Sequence, residues 1–217
     1  MLKIAPSLLA ADFLNLGSAA DFIDREADLY HLDVMDGTFV PNISFGFPVV
    51  EAFAKVARKP LDVHLMIVNP EKYVERFVKA GAAMVSFHYE AAGRKTGKII
   101  SMIRECGARA GVVINPDCPV ESLYPYIGKA DFFLIMSVFA GFGGQKFIPS
   151  SIEKVAALKA EMIRLGFPDT DIEVDGGIGP DNASVLEEAG ATILVAGSSV
   201  FKAEDPAAAV RAMRGVR

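Results

Sequence analysis

Short apolar runs alternate with amphipathic stretches from one end of the 217-residue chain to the other, and this alternation sets the tightest limit on its fold. β-rich runs fall at residues 4–8, 29–34, 61–66, 84–88, 110–114, 132–138, 172–174 and 193–196. Several are apolar throughout, as strands buried on both faces of a parallel sheet must be. Residues 16–27, 48–57, 70–80, 99–106, 120–127, 152–165, 182–189 and 207–213 carry helical periodicity. Asn69-Pro70, Ser150-Ser151 and Pro180-Asp181-Asn182 supply helix starts, while Gly81, Gly107, Gly166 and Gly190 stand where helices should stop. Eight strands and eight helices with no break in composition predict a (β/α)8 TIM barrel, one domain over residues 1–217. An open doubly wound sheet is the runner-up, but that fold seldom needs eight strands in so few residues. The usual barrel has about 250 residues, so most loops here must be short.

Ionisable residues collect where three of these runs end: His31-Leu32-Asp33-Val34-Met35-Asp36, Asp62-Val63-His64-Leu65-Met66 and Glu173-Val174-Asp175-Gly176-Gly177. Residues two apart on a strand share a face, so His31, Asp33 and Met35 point one way, as do His64 and Met66. Two of the chain's three histidines lie here. Two imidazoles and two carboxylates at strand ends suit the inner shell of a divalent metal. A lone histidine on an apolar strand is otherwise a hydrogen-bonded core residue, and a strand-end aspartate a turn former or helix cap. The repetition across three strands favours the metal.

Two glycine clusters occupy the face where barrel enzymes build their sites. One long connection, residues 139–150, carries Gly141-Phe142-Gly143-Gly144, which can bring backbone amides to an anion or hinge a lid. Gly176-Gly177 and Ala196-Gly197-Ser198-Ser199 follow the seventh and eighth runs, the place where barrels bind phosphate. Helix capping is the other reading of Ser198-Ser199.

Apolar residues at 52% and charged residues at 23% describe a globular chain, and a net charge of −5 argues against a nucleic-acid surface. Residues 1–7 make a poor signal peptide, and the longest apolar run, residues 132–142, is too short for a membrane span. Cys106 and Cys118 lack metal-type spacing and read as reduced thiols. The expectation is a cytoplasmic protein, without membrane or nucleic-acid partners, that assembles as a homo-oligomer.

Seven strings then fall into place together: residues 5–12 (Ala-Pro-Ser-Leu-Leu-Ala-Ala-Asp), the His-x-Asp-x-Met-Asp-Gly string at 31–37, Val40-Pro41-Asn42, the Asp-x-His-Leu-Met string at 62–66, Gly-Phe-Gly-Gly-Gln-Lys-Phe at 141–147, Glu-Val-Asp-Gly-Gly-Ile at 173–178 and Ala196-Gly197-Ser198-Ser199. In order and spacing, over essentially the whole chain, they resemble the ribulose-phosphate 3-epimerase family. The resemblance implies a TIM barrel interconverting D-ribulose 5-phosphate and D-xylulose 5-phosphate in the pentose phosphate pathway. It implies a single divalent cation (Zn, Fe, Mn or Co) held by His31, Asp33, His64 and Asp175, with both aspartates also moving protons. It makes Ser7, His64, Gly141, Phe142, Gly143, Gly144, Asp175, Gly176, Gly177, Gly197 and Ser198 the contacts to a phosphorylated ketose. Phe139-Ala140 departs from the family's polar-Pro pair and is expected to leave the glycine loop more mobile, so that a proline at 140 would restrain it.

The implied chemistry is epimerisation beside a ketone. One group takes the C3 proton, another returns one to the opposite face, and a divalent cation stabilises the enediolate between them. Asp33 and Asp175, from the second and seventh runs, are the expected pair. Met35, Met66 and Met136 are expected to line the pocket with side chains that cannot protonate the intermediate, ordinary barrel filling being the other reading. His88 receives no role. A hexulose phosphate such as D-allulose 6-phosphate is an alternative substrate, since one carbon changes only pocket length. A sugar-phosphate binding protein without turnover is the alternative from another class. Orotidine- or hexulose-phosphate lyase chemistry is disfavoured, because those sites resemble Asp-x-Lys-x-x-Asp and no lysine stands beside Asp33.

Overall fold

The computed structural model describes residues 2–215. Eight strands form one parallel sheet in the order β1-β8-β7-β6-β5-β4-β3-β2. They are β1 (Lys3–Pro6), β2 (Tyr30–Met35), β3 (Leu61–Met66), β4 (Met84–His88), β5 (Arg109–Ile114), β6 (Phe132–Met136), β7 (Asp171–Asp175) and β8 (Ile193–Ala196). The sheet closes on itself through a parallel bridge between Ser7 and His31. Two hydrogen bonds reinforce the seam: Asp28 N–H donates to Ile4 O at 3.0 Å, and Ile4 N–H donates to Asp28 Oδ2 at 2.8 Å. The expected barrel is therefore present.

Helices cover the outside: α1 (Leu16–Glu26), α2 (Phe47–Val56), α3 (Val74–Lys79), α4 (Tyr89–Ala92), α5 (Thr96–Glu105), α6 (Ser150–Arg164), α7 (Pro180–Ala189), α8 (Ser198–Phe201) and α9 (Pro206–Met213). Each longer helix turns an apolar stripe to the barrel wall, as α6 does with Val155, Leu158 and Met162. The wall answers with outward-facing residues such as Leu32, Leu65, Phe87, Phe133 and Val174, all in the same buried cluster. Two helical stretches differ from the α-helix their periodicity suggests. Residues Val120–Tyr126 form a 3-10 helix, because Pro125 has no N–H to donate. The stretch from Pro70 divides into a 3-10 turn (Pro70–Lys72) and α3 (Val74–Lys79). No helix among the described residues is long and apolar enough to cross a membrane.

The inside of the barrel is sorted by height. Ala5, Leu29, Met84, Phe132, Ile193 and Val195 form an apolar plug at the lower end. Arg109 lies over the Phe132 ring at 5.6 Å and pairs with Asp171 at 2.6 Å. Above the plug the interior turns polar: His31, Asp62, His64, Ser86 and Glu173 are fully buried and Asp33 nearly so. Gly111 makes the plug possible, since a Cβ there would stand 2.3 Å from the Phe132 ring. Gly111→Ala should therefore overpack the plug and destabilise the protein by about 1–3 kcal/mol, which is a fall in Tm of several degrees for a chain of this size. A thermal melt unchanged from wild type would show that the Phe132 ring can move aside.

Candidate functional site

Each ionisable side chain at the barrel mouth is placed by strand register. Asp33 pairs with His64 across β2 and β3, and His31 pairs with Asp62 one step below. Asp175 ends β7, next to Met136 of β6 and Val195 of β8. Going around the barrel, β2 and β7 are separated by β1 and β8, and both send carboxylates to one point. One atom each from His31, Asp33, His64 and Asp175 lies within 4.8 Å of all the others. His31 Nε2 and His64 Nδ1 both stand 3.3 Å from Asp33 Oδ1 and 3.9 Å from Asp175 Oδ2. His31 Nε2, Asp33 Oδ1 and His64 Nδ1 are buried without a hydrogen-bond partner.

Such orphaned atoms are expensive unless something satisfies them. A divalent cation fits: two imidazole nitrogens and two carboxylate oxygens suit Zn, Mn, Fe or Co, and two negative charges balance the ion. The second oxygen of Asp33 is taken, since Ser7 Oγ donates to Oδ2 at 2.5 Å. Ser44 Oγ donates to the Asp33 carbonyl oxygen and so fixes the backbone there. On the other side of His31, Nδ1 lies 2.6 Å from Asp62 Oδ2, which leaves Nε2 turned to the cluster.

The electrostatics divide the two aspartates. Burial alone would raise the Asp33 carboxyl, but the imidazoles of His31 and His64 beside it hold it well below the usual carboxylate range. Asp175 meets burial and the neighbouring Asp33 charge, and is pushed up to about 7. Burial works against a charged His31, yet Asp33 and Asp62 outweigh it and raise that ring well above its ordinary value. Burial lowers His64 to about 4, with His88 and His31 adding to the effect. Beneath them, burial and the Asp62 charge push Glu173 well above its ordinary value. Two carboxyls at one point whose surroundings push their pKa values apart can divide acid and base duties.

Above this cluster opens a cavity of about 360 Å³, lined by Ser7, Asp33, Met35, Met66, Asp175, the glycines 141, 143, 144, 176, 177 and 197, and by Phe142 and Ser198. Most of the residues expected to touch a ligand are thus brought together. His31 and His64 lie behind the floor, with no exposed surface. Met136, level with Asp175 at the end of β6, packs beside Val113, Leu134 and Val138 and is not among the cavity's lining residues. Sequence reasoning missed Leu9, Asn42, Gln145 and Lys202, which also line the cavity. Lys202 is the one cationic side chain in that lining, and its place just after the Ser198-Ser199 string was the available signal.

Gly176 and Gly177 have a steric reason of their own. Both have positive φ, at 121° and 64°. A Cβ at Gly177 would stand 2.5 Å from Phe147 N, and one at Gly176 2.8 Å from Val138 N. The two loops touch backbone to backbone, which only glycine permits. The loop after β6 is also more tightly held than its composition suggests. Gln145 Nε2 donates to Phe139 O at 2.7 Å and Phe142 O at 2.9 Å, and Asn42 Nδ2 donates to Gly141 O at 3.1 Å. Ala140 N–H donates to Asn115 Oδ1 at 3.1 Å. A proline at 140 would delete that donor, so the expected restraint would be offset by a lost tether.

Comparison with known proteins identifies the class first. The mutant tryptophan synthase α-subunit of Pyrococcus furiosus superposes with a TM-score of 0.73 at 16% identity, covering 100% of both chains. The 3-hexulose-6-phosphate synthase of Salmonella typhimurium does so with 0.72 at 19%, covering 99% of this chain and 97% of that one. These likenesses define the fold alone: a single-domain TIM barrel. The family model for the ribulose-phosphate 3 epimerase family matches residues 3–201. The ribulose-phosphate 3-epimerase of Synechocystis is 48% identical over 97% of this chain and 92% of its own length. That of Bacillus subtilis is 45% identical over 99% of both, and the cytoplasmic isoform of rice 44% over 98% and 92%. The chain belongs to the ribulose-phosphate 3-epimerase family, and it is an isomerase of the carbohydrate-phosphate epimerase class.

The cluster predicts how a cation is taken up. Coordination requires an ionised Asp175 and an unprotonated His31 Nε2, so binding releases protons. Zn2+ affinity should climb by about tenfold or more per pH unit below pH ~7, where Asp175 is still protonated. It should keep rising above that while His31 remains charged. Competition titrations against a chelator across this range measure it, and a pH-independent affinity would mean that Asp175 is not a ligand.

Proposed function

We propose that this protein is a metal-dependent 3-epimerase that interconverts D-ribulose 5-phosphate and D-xylulose 5-phosphate. The observation that carries the reading is the convergence of His31, Asp33, His64 and Asp175, three of whose facing atoms are buried without partners. The named epimerases among its relatives support the substrate.

His31, Asp33, His64 and Asp175 would hold the cation, which supplies Lewis-acid stabilisation of the enediolate's developing charge. The chain's own residues do the rest. The ionised carboxylate of Asp33 takes the C3 proton, Ser7 and the two imidazoles keeping it charged and aimed. Asp175 faces the same point from β7 and would carry the proton for the other face of C3, burial and the Asp33 charge making it the more basic of the two carboxylates. In the reverse direction the two exchange duties. Met35 and Met66 close the floor with thioethers that donate no proton. At the far side of the cavity, the amides around Gly177 and Gly197, the Ser198 hydroxyl and the Lys202 ammonium suit the phosphate. Homo-oligomer formation fits the apolar side chains left bare near the mouth, where Leu14 is 93% and Ile43 75% exposed. Sedimentation of the purified chain above monomer mass would bear this out.

The deciding experiment follows solvent deuterium into C3 of D-ribulose 5-phosphate while D-xylulose 5-phosphate forms. Asp33→Asn and Asp175→Asn should each lower kcat by at least about a hundredfold, the low end for a lost acid or base. Stripping metal with a chelator should abolish exchange, and restoring a divalent ion should recover it. A chain that binds the sugar phosphate without exchanging deuterium is a binding protein. Near-normal turnover in either variant would sink the two-carboxyl mechanism.

A further inference from the structure

His88, the chain's third histidine, is fully buried at the end of β4. It takes no part in the converging cluster. Its ring meets that of His64 end to end, with centroids 5.1 Å apart and planes inclined by 24°. The two Nε2 atoms lie 3.0 Å apart. One of them must carry a hydrogen and the other a lone pair.

Which nitrogen carries it follows from what His64 does on its other side. A ligating nitrogen must be unprotonated, so a neutral His64 that offers Nδ1 to a cation bears its hydrogen on Nε2. His88 Nε2 is then the acceptor, and a neutral His88 bears its own hydrogen on Nδ1. Two groups stand 3.4 Å from that atom, Glu90 Oε2 and Asn115 Nδ2. Asn115 is oriented by its other end, because its Oδ1 accepts the Ala140 N–H. Its NH2 therefore faces His88 and can serve only an unprotonated Nδ1. Glu90 Oε2, at ion-pair range, is the group on that side able to accept, and Glu90 is itself anchored, with Oε1 accepting the Asn115 N–H at 2.7 Å. Glu90 and Asn115 thus favour opposite tautomers of His88, and through it of His64.

We propose that His88 and Glu90 are positioning residues for the metal centre: the geometry makes them an outer relay, His64 Nε2–H to His88 Nε2 and His88 Nδ1–H to Glu90, that holds His64 Nδ1 free for a cation. Asn115 supports the opposite, non-ligating arrangement, so the cation selects the direction of the relay. This inference rests on the metal-dependent reading above. It also ties the ligand His64, on β3, to the glycine loop after β6 by way of Asn115 and Ala140.

The test uses the full chain with Zn2+ as the probe and reads imidazole tautomers by nitrogen-15 NMR. With Zn2+ bound, His64 should be protonated at Nε2 and His88 at Nδ1. Outer partners of metal-bound histidines set affinity by about 10–100-fold, so Glu90→Ala should weaken Zn2+ binding within that range. Glu90→Gln should recover most of the loss, because its amide oxygen still accepts. His88→Phe keeps a ring against His64 but offers no acceptor. It should weaken binding as much, and Glu90→Ala should add nothing on top of it, whereas two merely structural losses would add. Tight Zn2+ binding by the unsubstituted chain with unchanged affinity in Glu90→Ala and His88→Phe overturns the relay alone. So does a Zn2+ form in which His88 is protonated at Nε2. Failure of the unsubstituted chain to bind Zn2+, Mn2+ or Co2+ overturns the metal reading, and the relay with it.

Discussion

The cost of keeping charge out of water governs this structure. Glu173, Asp62, His31, His64, Asp33 and Ser86 fill the middle of a closed barrel and are buried there, a region that such folds ordinarily pack with branched apolar side chains. An isolated ion in that position would cost many kcal/mol. Much of the stack is matched: burial and the Asp62 charge raise the Glu173 carboxyl well above its ordinary value, Asp62 meets His31 at 2.6 Å, and Ser7 caps one oxygen of Asp33. The matching is incomplete along the stack, since Asp62 Oδ1, Ser86 Oγ and both Glu173 oxygens lack hydrogen-bond partners, and at the top His31 Nε2, Asp33 Oδ1 and His64 Nδ1 are left facing one another. The rest of the barrel tolerates this stack because its lower plug and outer layer are almost wholly apolar.

Much of this was legible in the sequence, for reasons that lie in strand geometry. The eight runs stand out because their outer faces must be apolar against helices, and the observed strands differ from the predicted ones only near their ends. The four converging residues were legible because ligands at strand ends repeat the same short grammar. Asp62 and Glu173 lie in the same strings, yet nothing local separates a residue one step below the mouth from one at it. The parallel register does separate them, by pairing His31 with Asp62 and Asp33 with His64. Met136 stands level with Asp175 at the end of β6 yet packs among Val113, Leu134 and Val138, which strand-end spacing does not reveal. Residues 120–127 carry helical periodicity but only a 3-10 turn, because Pro125 outweighs the pattern. The staple from Asn42 to Gly141 joins residues 99 apart in sequence, and no spacing rule reveals it.

The glycines show how one composition signal carries several meanings. Gly176 and Gly177 let two catalytic-face loops meet backbone to backbone, Gly111 makes room for a ring in the plug, and Gly144 faces open space. A functional reading of a glycine-rich segment is therefore strongest where nothing in the protein already requires the missing side chain. By that standard the loop after β6 has room for a ligand at Gly143 and Gly144, while Gly176-Gly177 holds the architecture that positions Asp175.

The seam of the barrel has a further consequence for how the chain reaches this state. β1 takes its hydrogen-bonded neighbour from β8, Lys3 opposite Ile193 and Pro6 opposite Ala196. The other strands join partners next to them in order. During synthesis β1 must wait for β8, held meanwhile to β2 by the Ser7–His31 bridge and the Asp28 contacts. Such distant pairing is the slow kind, because loop-closure entropy is spent before any contact repays it. The Ser7 that steadies Asp33 sits on that late-closing edge. Ser7 spans the seam, its N–H donating to Ala196 O and its hydroxyl to Asp33, so a chain stalled before ring closure leaves the support of Asp33 held from one side alone.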